Sequence, residues 1–149
     1  MTASLFIAQA KSTLDAKVKL LADSLGLEFS EVDDSAATSE QQQSSNDAIV
    51  WQMSEIPVEE RGVFYTFRFS VGAKTADDVS NMRMMSFIGK IVEEFTEDST
   101  VNIYDYTTTA QPDLPTGFGV LTQSRVGAQQ YDRQANYRMV DMAMRAVRY

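Results

Sequence analysis

The apolar residues near the start of the chain recur at the spacing of an α-helix. One stripe with a period of 3.6 residues contains Leu14, Val18, Leu21 and Leu25. This spacing predicts an amphipathic opening helix that covers a sheet with its apolar side. Thr2 or Ser4 can cap the start of this helix, and Gly26 can end it because glycine adopts a left-handed conformation without strain.

From residue 48 onward the apolar residues recur with a period of two, which is typical of strands with one buried face. The sharpest stretch covers residues 63–71 and places on one face Val63, Tyr65, Phe67, Phe69 and Val71. The opposite face carries Phe64, Thr66, Arg68 and Ser70. Pro57 and Gly62 lie in the connector between two alternating stretches, so we predict an antiparallel hairpin whose five-residue apolar face belongs to the core.

A second helix is predicted after this hairpin. Thr75 or Asp77 can cap its start. Its apolar side contains Val79, Met82, either Met85 or Ser86, Ile88, Ile91, Val92 and Phe95. The methionines of the segment MRMMSF are interpreted as core filling, with a soft contact surface as the alternative. Residues 100–107 then predict a strand, and residues 117–128 begin the two-residue alternation again.

The closing segment, YRMVDMAMRAVRY at residues 137–149, fits both periods. As a helix it places Val140, Met144 and Val147 on one side. As a strand it places Val140, Met142, Met144 and Ala146 on one face. We favour the strand, because the preceding segment is already strand-like and QYDRQAN is short and polar enough for a hairpin connection. Such a strand would pair back along residues 117–129.

Between the first helix and the first long strand lies an acidic, apolar-poor stretch. Residues 27–32 predict a short strand, whereas residues 33–47 are rich in Ser, Gln and Asp. The latter segment buries too little apolar surface to offset its ordering entropy. We therefore predict a long exposed acidic loop at 33–47, which either orders against a partner or is a tolerated insertion.

Composition narrows the classes of function. The chain has 149 residues, which suits one domain spanning residues 1–149. Cysteine and histidine are both absent, which removes disulfides, thiolate nucleophiles and the side chain that most often titrates near neutral pH. No apolar run approaches the ~20 residues of a membrane span, and no secretion signal is predicted. We therefore expect no enzymatic activity, no cofactor and no membrane association.

The net charge of −8 is unevenly distributed. Residues 1–124 carry 8 basic and 19 acidic side chains, whereas residues 125–149 carry five Arg and two Asp. This distribution disfavours tight DNA binding, which depends on clustered basic residues. It suits a subunit whose basic edge docks on a neighbour's acidic surface, with simple maintenance of solubility as the alternative.

Several groups of residues that suggest a metal site, a phosphate-binding loop or an interface have a structural explanation as well. Adjacent acidic pairs such as Glu93 and Glu94 do not converge on one metal ion, so we predict no metal site. The GFG at 117–119 lacks the spacing of a phosphate-binding loop. Trp51 is either an interface anchor or a core ring.

The predicted elements indicate an α+β fold with a mostly antiparallel sheet flanked by two main helices, since each helix must bury its apolar stripe on a sheet face. Both faces of residues 63–71 and of the closing segment carry apolar residues. The second sheet face should then be covered too, and another copy of the chain is the available cover.

This layout resembles the tail terminator, or neck, proteins of tailed bacteriophages. The resemblance lies in the opening helix, YTFRFSVGAKT followed by ADDVSNMRMMSFIGKIVEEF, STVNIYDYT, and the closing DRQANYRMVDMAMRAVRY. It implies a structural virion protein, assembled in the host cytoplasm as a ring of identical subunits, with a hexamer expected. Such a ring caps the tail tube, meets the head connector and lets DNA pass without specific binding.

A closed ring needs one patch on each subunit to meet a different patch on its neighbour. The interface residues predicted from the charge distribution and the aromatic content are Arg138, Arg145, Arg148 and Trp51. Two alternatives stay open: another phage assembly subunit, such as a tail tube, connector or baseplate protein, and an unrelated monomeric α+β binding module.

Overall fold

The computed structural model describes residues 3–31, 47–55, 64–76, 82–127, 130–132 and 135–149. Within these ranges the chain forms two helices and seven strands. In chain order they are α1 (Ala3–Leu25), β1 (Glu28–Glu31), β2 (Ala48–Glu55), β3 (Phe64–Ala76), α2 (Met82–Glu94), β4 (Thr100–Tyr104), β5 (Pro115–Val126), β6 (Gln130–Asp132) and β7 (Ala135–Arg148).

The strands form one sheet in the order β1-β2-β3-β7-β5-β4, and the short β6 also pairs with β7. The β1–β2 pair is parallel and the other pairs are antiparallel. The predicted α+β fold with a mostly antiparallel sheet is therefore confirmed. The hairpin predicted from the two-residue alternation is the β2–β3 pair, although its connector lies outside the described residues.

The closing segment is strand β7, so the helical alternative is wrong. β7 lies in the middle of the sheet and pairs with β3 on one side and β5 on the other. The side chains on its core face are Val140, Met142, Met144 and Ala146, as the strand interpretation predicts. A Cβ at Gly117 of β5 would collide with the carbonyl oxygen of Val147, so this pairing requires glycine there.

Helix α1 lies across the concave side of the sheet. Its buried stripe contains Phe6, Ala10, Leu14, Val18 and Leu21. The helix contacts β1, β2 and β4, which belong to both ends of the strand order, because the sheet curls around it. Gly26 ends α1 with a φ of 68°, as predicted. Ser4 lies inside the helix and therefore does not cap it, and Thr2 is outside the described residues.

Helix α2 packs on the same sheet face as α1. Met84, Ile88 and Ile91 are its buried residues, and the ring of Phe95, directly after the helix, lies 6.0 Å from the ring of Phe69. The Gln123 side chain of β5 donates a hydrogen bond to the Val92 carbonyl at 3.2 Å. Both described helices thus cover one face of the sheet.

Two expectations for α2 are wrong in detail. Thr75 belongs to β3, because pairing with β7 extends that strand to Ala76, so it does not cap the helix; Asp77 lies outside the described residues. Met82 and Met85 are exposed while Met84 is buried, so the methionine segment is only partly core. Neither helix in the described part of the chain combines the length and the apolarity needed to cross a bilayer.

The predicted acidic loop at 33–47 lies outside the described residues except for its last member. Asp47 accepts a hydrogen bond from the Ala76 amide at 3.2 Å and forms an ion pair with Arg83 at 2.7 Å. Asp47 therefore ties the start of β2 to the end of β3 and the start of α2.

Candidate assembly surface

The sheet has one face that neither described helix covers. We call it the outer face and define it by alternate residues of β3, β5 and β7: Phe64, Thr66, Arg68, Ser70, Phe118, Val120, Thr122, Ala143, Arg145 and Val147. These residues are exposed or half-buried. The two described helices therefore leave a partly apolar, partly basic face of the sheet uncovered.

Aromatic and basic side chains meet at one end of the outer face. Phe64 is 37% exposed, and the Arg145 guanidinium lies 5.3 Å from the centre of its ring. The ring of Phe118 lies 6.1 Å from the ring of Tyr149, which is 72% exposed. Aromatic rings and arginine are the side chains enriched at protein interfaces. This end of the outer face therefore has the composition of a contact surface.

The other end of the same side of the sheet is closed. Its buried side chains are Ala48, Val50, Lys74 and Tyr137. Burial lowers the pKa of Lys74 from its ordinary value of 10.5, and the negative charges of Glu28 and Asp47 oppose part of this shift. The open surface is thus confined to the end where β3, β5 and β7 run past Phe64, Phe118 and Arg145.

Between the two ends lies one polar cluster that is satisfied within the subunit. The Ser70 hydroxyl donates a hydrogen bond to Asp141 Oδ1 at 2.6 Å, and Arg125 Nε lies 3.7 Å from Asp141 Oδ2. The carboxylate of Asp141 is therefore engaged. Arg145, in contrast, contacts the Phe64 ring and has no carboxylate partner among the residues that the structure describes.

The structure separates the predicted interface residues. Arg145 is exposed on the outer face. Arg138 pairs with Ala73 and Arg148 pairs with Gly117, and this register places both arginines on the helix side of the sheet. Arg138 Nη1 lies 3.1 Å from the sulfur of Met85 of α2. The single basic edge predicted from composition is wrong, because alternation along a strand sends Arg145 and Arg148 to opposite faces.

Trp51 lies in the core rather than on the surface. Its ring is fully buried, and its Nε1 donates a hydrogen bond to Asp15 Oδ1 of α1 at 3.1 Å. The interface-anchor prediction for Trp51 is therefore wrong for the described subunit, and the core alternative is right. The aromatic residues that do lie on the open face, Phe64 and Phe118, were not chosen from sequence, although the period of two already placed Phe64 opposite the core.

A concentration of negative charge lies on the helix side of the sheet. We call it the acidic corner and define it as Glu93, Glu94, Glu97 and Asp98 at and just after the end of α2. Lys90 lies 3.3 Å from Glu93 and Lys17 lies 3.1 Å from Glu94. Glu97 and Asp98 are exposed. Within the part of the chain that the structure describes, Glu97 and Asp98 form no ion pair.

Among the described residues, no group of three or more acidic, histidine or cysteine side chains is arranged to hold a metal ion. An open groove of about 290 Å³ lies between α1 and β4, beside the Lys17–Glu94 ion pair and Tyr104.

No protein-family model and no curated protein matches the chain.

Proposed function

We propose that this protein is a structural subunit that assembles with identical copies into a closed ring, of the tail terminator or neck type found in tailed bacteriophages. In this role it caps the tail tube and joins it to the head connector. DNA passes through the ring without being gripped, in keeping with the net charge of −8.

One observation carries the proposal: the open end of the outer face. A sheet packed by helices on one side only usually presents a polar surface on the other. Here that surface includes Phe64, Phe118 and Val147, together with Arg145. Exposed apolar and aromatic residues rimmed by polar ones mark surfaces that bind other proteins. We take a second copy of the chain as that partner.

The order of elements supports the choice of ring type. The opening helix, the strand that leads into the second helix, the short strand after it and the long closing strand are the features on which the resemblance to tail terminator proteins rests. The closing strand β7 lies beside β3 in the middle of the sheet. The two strands therefore contribute neighbouring side chains to the same sheet face. The resemblance supplies the phage setting, and the outer face supplies the means of assembly.

The test is the mass of the purified full chain in solution, measured by light scattering after gel filtration, with electron microscopy of the same fraction. We expect a multiple of the 16.6 kDa subunit and closed rings in the images. A monomer at every concentration, with no entry into tail particles when mixed with tube and connector proteins, would overturn the proposal.

A pair of variants ties assembly to the outer face. Phe64→Glu places a charge on the open end and should give monomers. Met82→Glu is the matched control, because Met82 is 75% exposed at the start of α2, which packs on the side of the sheet opposite the outer face; it should assemble like the parent. Equal behaviour of the two variants would show that the outer face is not the contact.

A further inference from the structure

We infer that neighbouring copies join by an unlike contact, in which the open end of the outer face of one subunit, centred on Arg145 and Phe64, receives the acidic corner of the next. This inference rests on the proposed ring and names the two surfaces that build it. The occupant of the outer face is thus a second copy of this chain. Charge complementarity between two surfaces of one subunit supports this contact.

The outer face supplies unneutralised positive charge. Arg145 is exposed, and its guanidinium lies 5.3 Å from the centre of the Phe64 ring. Asp141, an acidic residue of the same strand and the same face, is already engaged by Ser70 and Arg125. A guanidinium held over a ring keeps its N–H groups directed outward, where they can bind a carboxylate. A carboxylate from outside the subunit is therefore the group that Arg145 lacks.

The acidic corner is unfavourable within its own subunit. The end of a helix carries a partial negative charge from its free carbonyl groups, and basic side chains usually compensate it. The last turn of α2 contains no basic residue, and Glu93, Glu94, Glu97 and Asp98 add four carboxylates. Lys90 and Lys17 engage only two of them. A basic surface brought by a neighbour would relieve this repulsion.

The two surfaces cannot meet within one subunit. α2 packs on the concave side of the sheet, whereas Arg145 and Phe64 project from the opposite side. A contact between unlike surfaces on opposite sides propagates from copy to copy, and it gives a ring when the rotation closes. Charge attraction between unlike surfaces also opposes the pairing of two identical faces.

The experiment measures assembly of the full chain by light scattering and electron microscopy at fixed salt. Arg145→Glu and Glu97→Arg should each weaken assembly at least tenfold, because each places like charges across the contact. The double variant R145E/E97R restores an opposite-charge pair at every contact and should assemble again. Lys19→Glu and Asp23→Arg, exposed positions of α1, are the matched charge controls and should leave assembly unchanged.

The outcomes separate the inference from the proposed ring. If the parent assembles and each single variant, R145E and E97R, assembles as the parent does, the inference is overturned and the ring proposal stands. If R145E disrupts assembly, E97R does not and the double variant stays monomeric, two outer faces meet instead and the inference is again overturned. If the parent itself never assembles, both proposals fail. Circular dichroism of each variant verifies that the subunit remains folded.

Discussion

Trp51 is a core side chain whose polar atom still has a partner. The ring is fully buried, Asp15 of α1 accepts its N–H, and the ammonium of Lys11 lies 5.7 Å from the ring centre. A buried donor without a partner costs its full desolvation free energy. Asp15 therefore fixes where α1 crosses β2, in addition to the apolar stripe that holds the helix on the sheet.

We predict that Asp15→Ala lowers the free energy of unfolding by about 1–3 kcal/mol, because the Trp51 N–H loses its acceptor while the ring stays buried. The measurement is urea denaturation followed by tryptophan fluorescence, which reports this site alone because the chain contains one Trp. Asp23→Ala, at an exposed position of the same helix, should change stability by less than about 0.5 kcal/mol. Equal losses of unfolding free energy in the two variants would contradict the role of Asp15 as the acceptor for the Trp51 N–H.

At the scale of elements, one hydroxyl joins α1 to the edge of the sheet. Thr13 Oγ1 accepts a hydrogen bond from the Tyr104 amide at 3.0 Å and lies 3.4 Å from the Tyr104 carbonyl oxygen, to which it can donate. β4 is the last of the described strands in the sheet order, so none of them pairs with its outer backbone groups. The Thr13 hydroxyl supplies hydrogen bonds of the kind that a neighbouring strand would make, and it holds the edge strand β4 against α1.

We predict that Thr13→Val lowers the free energy of unfolding by about 1–3 kcal/mol, because the side chain keeps its shape but leaves backbone groups of Tyr104 unpaired. Hydrogen exchange of the Tyr104 amide should accelerate in this variant. Thr13→Ser keeps the hydroxyl and is the matched control. A serine variant that exchanges as fast as the valine variant would contradict the proposed clamp.

For the whole molecule, a charge of −8 coexists with a basic, aromatic end of the outer face. Like-charged copies repel one another at long range, and salt screens this repulsion together with the attraction between unlike patches. Apolar burial at Phe64 and Phe118 does not depend on screening in the same way. The proposed assembly therefore combines a salt-sensitive charge contact with an apolar one.

We predict that the melting temperature rises with protein concentration, because association of folded copies stabilises the folded state by mass action. The measurement is calorimetry over a hundredfold range of subunit concentration. Phe64→Glu, which is designed to block assembly, should melt at a temperature that does not depend on concentration. A concentration-independent melting temperature for the parent would contradict the assembly proposal.

Much of the fold follows from local sequence pattern. The stripe of α1, its end at Gly26 and the buried face of β3 were all predictable, because side-chain periodicity directly reports which side of an element is buried. The closing segment was harder, since Val140 and Met144 satisfy both periods. Its central place between β3 and β5 decided that it is a strand.

The candidate surface depended on contacts between distant parts of the chain. The sequence by itself determined the helices, the strand faces and the uneven charge, because these depend on neighbours within a few residues. Only the tertiary structure decided that Trp51 lies beneath α1, that Arg145 meets Phe64 across β3 and β7, and that Arg138 and Arg148 point to the other side. Strand order and register set these positions, and both come from pairing between segments far apart in sequence.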